Sequence, residues 1–260
     1  MQYVTIKRSG NPIKLEYKWI NPKLDNAPVI LFLHEGLGSI SMWRNWPQQV
    51  CDALSCRGLV HSRYGYGNST VRSPNERRSI NYLQQEAKYD LPMFLEAVGL
   101  ANEQVIIYGH SDGGSIALLF ASYFPEHTRA IAVAAPHIFV EDVTLEGIEA
   151  AKEIYLTTNL KERLGRHHKD PESVFWSWND TWLEPEFSKW NIEQEVAKIT
   201  TPVLALQGID DEYGTLEQIY GIQRLLPQTQ VLAIPDCAHS PHKDQPQVVI
   251  QALKSFLNLP

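Results

Sequence analysis

The sequence predicts an α/β fold with a mostly parallel sheet, on three observations. The runs at 29–33 (VILFL), 105–108 (VIIY) and 203–206 (VLAL) are continuously apolar instead of alternating, the pattern of strands buried on both faces. Segments of helical period lie between such runs, at 46–54, 80–98, 115–124, 216–226 and 248–257. Strand and helix therefore alternate along the chain, which places parallel strands in one sheet with helices packed on it.

Each element follows in order. Residues 3–20 carry two alternating runs broken by Ser9, Gly10, Asn11 and Pro12, and this reads as an antiparallel hairpin at the sheet edge. Further buried strands are expected at 59–60 and 130–135, and a strand at 231–234. From His137 to about Lys198 the strand signal stops, and helical segments rich in charge and in tryptophan (Trp176, Trp178, Trp182, Trp190) take over. This stretch reads as a helical cap over 137–198, inserted into a core formed by 1–136 and 199–260.

With 260 residues, 43% apolar and 20% charged, the chain is long enough to bury a large core in one domain. Its formal net charge of −7 and the lack of a long Lys/Arg run argue against a nucleic-acid surface, and the small cluster Arg72, Arg77 and Arg78 reads as a solvated loop. The N-terminus has no apolar signal region, and no apolar stretch approaches the roughly 20 residues of a membrane span. Cys51, Cys56 and Cys237 have no metal-ligand spacing and read as free thiols of a reducing compartment. A protein of the cytoplasm is expected, a monomer or homodimer, without metal, cofactor, membrane or nucleic-acid partner.

The chemistry centres on Gly109-His110-Ser111-Asp112-Gly113-Gly114, between the run VIIY and the helical segment SIALLFASYF. Gly-x-Ser-x-Gly at a strand-to-helix turn is a nucleophile elbow: a strained turn exposes the serine oxygen, and glycines two positions to either side let strand and helix approach. A nucleophilic serine needs a base within about 3 Å and an acid that orients the base. Side chains of consecutive residues diverge at a tight turn, so His110 and Asp112 should face away from the Ser111 hydroxyl. Base and acid must come from other loops. QGIDDEY (207–213) follows the apolar strand at 203–206, and PDCAHSPH (235–242) follows the strand at 231–234.

From about Pro28 to Phe256 the chain resembles the α/β-hydrolase superfamily. HEGLG after the first buried strand, SRYGYGNS after the next, GHSDGG, QGIDDEY and AHSPHKDQP carry the resemblance. It implies the α/β-hydrolase fold, with a twisted, mostly parallel sheet of about eight strands, helices on both faces and an inserted helical cap. It also implies the order nucleophile, acid, base: Ser111, then Asp211 with Asp210 as the alternative, then His239 with His242 as the alternative.

Backbone N–H groups that hold the tetrahedral oxyanion supply several kcal/mol to acyl transfer. By the resemblance the donors are Gly36, with Leu37 as runner-up, and Asp112, the residue after the nucleophile. Glu35 stands where relatives more often carry glycine, as a salt-bridging or substrate-facing residue. Asp112 also departs from the usual apolar residue. A carboxylate there would oppose an oxyanion, so its side chain should point away, toward local backbone or an arginine. His137, Phe139, Trp176 and Trp182, with Glu35, are the expected pocket residues, the tryptophans serving either the pocket or the packing of cap on core.

The expectation is a cofactor-independent serine hydrolase that cleaves a small to medium, hydrophobic or aromatic ester, lactone or thioester through an acyl-enzyme. Its alternatives are a C–C bond hydrolase, an aminopeptidase or a cofactor-free lyase or oxygenase on the same residues, or a non-catalytic small-molecule receptor, since fold alone does not settle function.

Overall fold

The computed structural model describes residues 1–73 and 76–258. An 8-stranded sheet runs in the order β1-β2-β4-β3-β5-β6-β7-β8. Its strands are β1 (Gln2–Arg8), β2 (Asn11–Ile20), β3 (Val29–Leu33), β4 (Arg57–His61), β5 (Val105–His110), β6 (Thr128–Ala134), β7 (Val203–Gly208) and β8 (Gln230–Ile234). β1 and β2 form the expected antiparallel hairpin, turning through Ser9 and Gly10 at φ 49° and 82°. β2 meets β4 antiparallel, and every later pairing is parallel.

The continuous apolar runs divide by strand periodicity. Leu31, Leu33, Ile107, Val133 and Ala205 enter one hydrophobic cluster, while Ile30, Phe32, Ile106, Tyr108, Ala132 and Leu206 enter a second on the opposite face. Burying each large side chain contributes about 1.5–3 kcal/mol, so a strand with both faces covered is held twice over. Trp46–Ala53 and Pro246–Leu257 cover one face, and Asp112–Tyr123 and Leu91–Ala97 cover the other.

The helix expected over 80–98 is present with an irregularity at its centre. Tyr82–Gln85 passes into a π-turn at Glu86–Asp90 and then into Leu91–Ala97. Pro92 has no N–H to give to an i→i−4 bond, and wider bonding upstream absorbs the gap.

Between β6 and β7 lie Asp142–Thr157, Leu160–Gly165, Pro171–Trp182 and Glu193–Val196, helices as the sequence predicts. Tyr155 stacks on Phe175 with ring centroids 3.9 Å apart, and Trp182 packs edge-on to Phe187 at 4.8 Å. Trp182 and Phe187 are fully buried in the same cluster as Leu119 and Ile107, so this segment shares the core of the sheet.

One reading is corrected. Of the three arginines expected on a solvated loop, only Arg77 is exposed, and Arg72 and Arg78 are buried. Arg72 pairs with Glu76 at 3.3 Å, and both guanidinium groups lie over tyrosine rings, Arg72 on Tyr64 and Arg78 on Tyr66 and Tyr82. Aromatic faces attract a desolvated cation, an outcome that charge patterning in the sequence does not reveal. No helix among the described residues is long and apolar enough to cross a membrane.

Candidate active site

Ser111 connects the end of β5 to the helix Asp112–Tyr123 with φ 53° and ψ −121°, a positive φ that costs a non-glycine residue strain. The turn is this tight because strand and helix nearly touch. A Cβ on Gly109 would fall 2.2 Å from the Gly113 carbonyl oxygen, and one on Gly113 would fall 2.1 Å from that of Leu33. Only glycine fits at either place.

The loops after β7 and β8 supply the partners. His239 Nε2 lies 2.9 Å from Ser111 Oγ, and His239 Nδ1 lies 2.8 Å from Asp211 Oδ1. A carboxylate accepts only, so Nδ1 carries the proton and the Nε2 lone pair faces the serine hydroxyl. Asp211 is itself held, accepting from Tyr213 N–H at 2.9 Å and Gln207 Nε2 at 3.1 Å. Burial disfavours imidazolium at His239, but the Asp211 carboxylate outweighs it and the ring is raised above its ordinary value. Burial would raise Asp211, and the His239 ring reverses this and leaves it lowered. Of the two alternatives, Asp210 is exposed, and His242 packs on Trp43, Trp46 and the His110 ring.

His110 does turn from the hydroxyl, and its Nε2 donates to the His239 carbonyl at 2.7 Å. Asp112 turns away as well, into the interior, where the Tyr82 hydroxyl donates to Oδ2 at 2.7 Å and Arg63 Nη2 stands 3.5 Å from the same oxygen. Trp182 Nε1 in turn donates to the Tyr82 oxygen at 3.0 Å. As the first residue of its helix, Asp112 has an amide N–H with no intrahelical acceptor. Gly36 lines the cavity beside Ser111, and a Cβ there would meet the Trp178 ring at 2.2 Å. Leu37, the runner-up, lines the same cavity, and its carbonyl accepts from His168 at 3.0 Å.

Glu35 borders the cavity with Oε2 3.6 Å from His110 Nδ1, beyond hydrogen-bond length. Burial alone would raise its carboxyl; the His110 ring, with Lys243 and His34 behind it, holds it well below the usual carboxylate range.

The cavity over Ser111 measures about 190 Å³ and is walled mainly by Met42, Ile148, Leu160, Leu164, Trp178 and Trp182, with His137, Thr144 and Tyr213 as polar additions. Of the expected pocket residues, Glu35, His137 and Trp182 are present. Phe139 and Trp176 are not. The Phe139 backbone bridges to Asn191 and its ring lies near Gly221, while Trp176 packs on Tyr155 and Phe175. Helical period explains the difference: positions 178 and 182 share a face of Pro171–Trp182, and 176 lies opposite 178. That i, i+4 tryptophan pair was a signal for Trp178 in the sequence; Leu160 and Leu164 form another such pair.

Two roomier clefts, of about 520 and 500 Å³, lie away from Ser111, beside Asn21 and Asp52 and beside Arg72 and Arg78. Neither lining contains Ser111 or His239, so volume alone does not mark the site. No group of three His, Cys, Asp or Glu among the described residues is placed to hold a metal ion.

A family model described as the alpha/beta hydrolase family matches residues 30–252. The sn-1-specific diacylglycerol lipase ABHD11 of Mus musculus is 25% identical over 280 residues, covering 95% of this chain and 86% of that protein. A 2-hydroxy-6-oxononadienedioate/2-hydroxy-6-oxononatrienedioate hydrolase of Comamonas testosteroni is 23% identical over 239 residues, covering 81% of each. Among solved structures, a thermophilic esterase from Thermogutta terrifontis superposes with a TM-score of 0.75 at 20% identity, covering 99% of this chain and 98% of that one.

Proposed function

The chain belongs to the alpha/beta hydrolase family and is a hydrolase, and from that premise we propose that it cleaves a small to medium hydrophobic ester through an acyl-enzyme on Ser111. The observation that carries this reading is the His239 ring suspended between Ser111 Oγ at 2.9 Å and Asp211 Oδ1 at 2.8 Å. Ser111 Oγ attacks the ester carbonyl carbon as its proton passes to His239 Nε2, and the imidazolium is held by Asp211. The carbonyl oxygen takes the negative charge and is received by the Gly36 and Asp112 N–H groups. Collapse of this intermediate breaks the carbon–oxygen bond, and His239 returns the proton to the departing alkoxide. Water, deprotonated by His239, then repeats the sequence on the acyl-enzyme and frees the acid.

The cavity supports a small substrate. At about 190 Å³ it is smaller than the roughly 300–1,000 Å³ of pockets for drug-sized ligands, and its walls are mostly apolar. A short acyl chain or a single ring suits it better than a long fatty acyl chain.

A panel of p-nitrophenyl esters of graded chain length on wild type and Ser111→Ala tests the reading. Turnover should peak at a short acyl chain and fall about 10⁴-fold or more in Ser111→Ala. Turnover that survives Ser111→Ala undiminished would sink it. A second reading, hydrolysis of a carbon–carbon bond by the same residues, is supported by the name of the Comamonas testosteroni relative. A vinylogous diketone added to the panel decides between them, because the favoured class should exceed the other in kcat/KM.

A further inference from the structure

Arg63 lies just past β4 in the SRYGYGNS motif, 2% exposed, and the steps above assign it nothing. Its backbone N–H donates to His34 Nε2 at 3.1 Å. That nitrogen is therefore the unprotonated one, and His34 Nδ1–H donates to the Glu35 carbonyl at 2.8 Å. Arg63 Nη2 donates to the same carbonyl at 2.9 Å, and also reaches the His34 carbonyl at 3.3 Å. The Glu35 carbonyl thus accepts from two side chains, and from the Gly38 N–H at 3.0 Å across the turn. The other member of that peptide unit is the Gly36 N–H. A trans peptide is planar with C=O and N–H opposed, so fixing the carbonyl inward aims the Gly36 N–H the other way, toward the cavity that Gly36 lines.

The same guanidinium nitrogen stands 3.5 Å from Asp112 Oδ2, on the side chain of the second amide donor. Both side chains of that pair are 1% exposed. The Tyr66 ring carries Arg63 Cζ at 4.7 Å and meets the His34 ring edge-on at 4.9 Å, so the guanidinium rests on a rigid shelf. One buried cation therefore contacts both strands of chain from which an oxyanion would be held.

We propose that Arg63 is the positioning residue of the oxyanion hole: it anchors the Glu35–Gly36 peptide and offsets the Asp112 carboxylate, so that both amides face the developing oxyanion without a bare negative charge behind them. This deepens the acyl-enzyme reading and rests on it. Polarisation adds to orientation, since a carbonyl that accepts several hydrogen bonds, one of them from a cation, makes the N–H of its own peptide a stronger donor.

The test measures kcat and KM on a short p-nitrophenyl ester, with inhibition by an alkylboronic acid, whose tetrahedral adduct on Ser111 places an oxygen between the two amides. In Arg63→Met, kcat should fall about 100-fold, the loss typical of one oxyanion donor, with KM near wild type. Boronate affinity should fall in step with kcat, and Arg63→Lys should recover part of both. A merely structural arginine would lower the melting temperature without changing the ratio of boronate affinity to KM, and that result overturns the proposal.

Because removing Arg63 leaves the Asp112 carboxylate buried without its cation, Arg63→Met/Asp112→Asn serves where the single variant does not fold. Its kcat should lie well below that of Asp112→Asn alone, the Glu35 carbonyl having lost a donor; equal values overturn the proposal. A wild type inert to the whole panel, or still active as Ser111→Ala, removes the acyl-enzyme reading and this inference together. An active, Ser111-dependent wild type whose folded Arg63 variants keep full kcat removes the inference alone.

Discussion

Two charge pairs flank Ser111, and they are built differently. On the loop side His239 and Asp211 meet directly at 2.8 Å, with the His239 side chain 13% exposed and resting at the cavity wall. On the inner side Arg63 and Asp112 stand 3.5 Å apart, and the Tyr82 hydroxyl makes the shorter contact to the carboxylate. In the proposed mechanism the ring of the first pair gains and loses a proton in every turnover, so it needs a short bond and a path to substrate. The second passes no proton in that mechanism, and it can be sealed in the core and spaced for orientation. What separates the pairs is whether the proposed mechanism passes a proton through them.

The strongest break falls on the first pair. Asp211→Asn leaves the geometry nearly intact but presents the wrong donor pattern to His239 Nδ1, and kcat should drop about 10⁴-fold. The same substitution has a pH signature. His239 acts as base only when neutral, and Asp211 raises its ring above 6.5. In wild type, kcat/KM should therefore be full above that raised value and fall as pH drops through it. In Asp211→Asn the acid limb should move to lower pH; a limb that stays in place would show that Asp211 does not govern the base.

A smaller break falls on the second pair. Tyr82→Phe removes the hydrogen-bond donor to Asp112 and the acceptor of Trp182 Nε1, and losing these two buried hydrogen bonds should cost about 1–3 kcal/mol of stability, read from urea unfolding. The acid limb should not move, because no titrating group of the first pair is touched. The smallest effect belongs outside both pairs. Phe139→Leu should leave KM unchanged in the ester assay, since the ring does not line the cavity, and should cost less than about 1.5 kcal/mol.

The sheet and the first pair were legible in sequence for related reasons. Strands such as VIIY announce themselves through unbroken apolar runs, and Ser111, Asp211 and His239 each follow such a run at the same edge of one sheet. Asp112 was legible as a misfit, because a carboxylate beside an anion site must find a cation. Which cation was not legible: Arg63 lies on a separate crossover, and nothing in local pattern links it to residue 112. Arg78 escaped because a charge buried on tyrosine faces looks, in sequence, like any loop charge. The cavity walls were half legible. Four tryptophans marked the region, but only the helical phase of Pro171–Trp182 separates Trp178 and Trp182 from Trp176.

The Trp178 ring fills the space that a side chain at position 36 would need, its nearest atom 2.2 Å from where a Cβ would stand. The helical insertion is thus no detachable hood that could be exchanged for another to alter substrate choice. A chimera cut at 137 and 198 would sever a contact between graft and host at the peptide meant to grip the oxyanion. A replacement without an aromatic ring at that point would leave the space beside Gly36 unfilled. The unit of exchange for an engineer is the insertion together with residues 34–38.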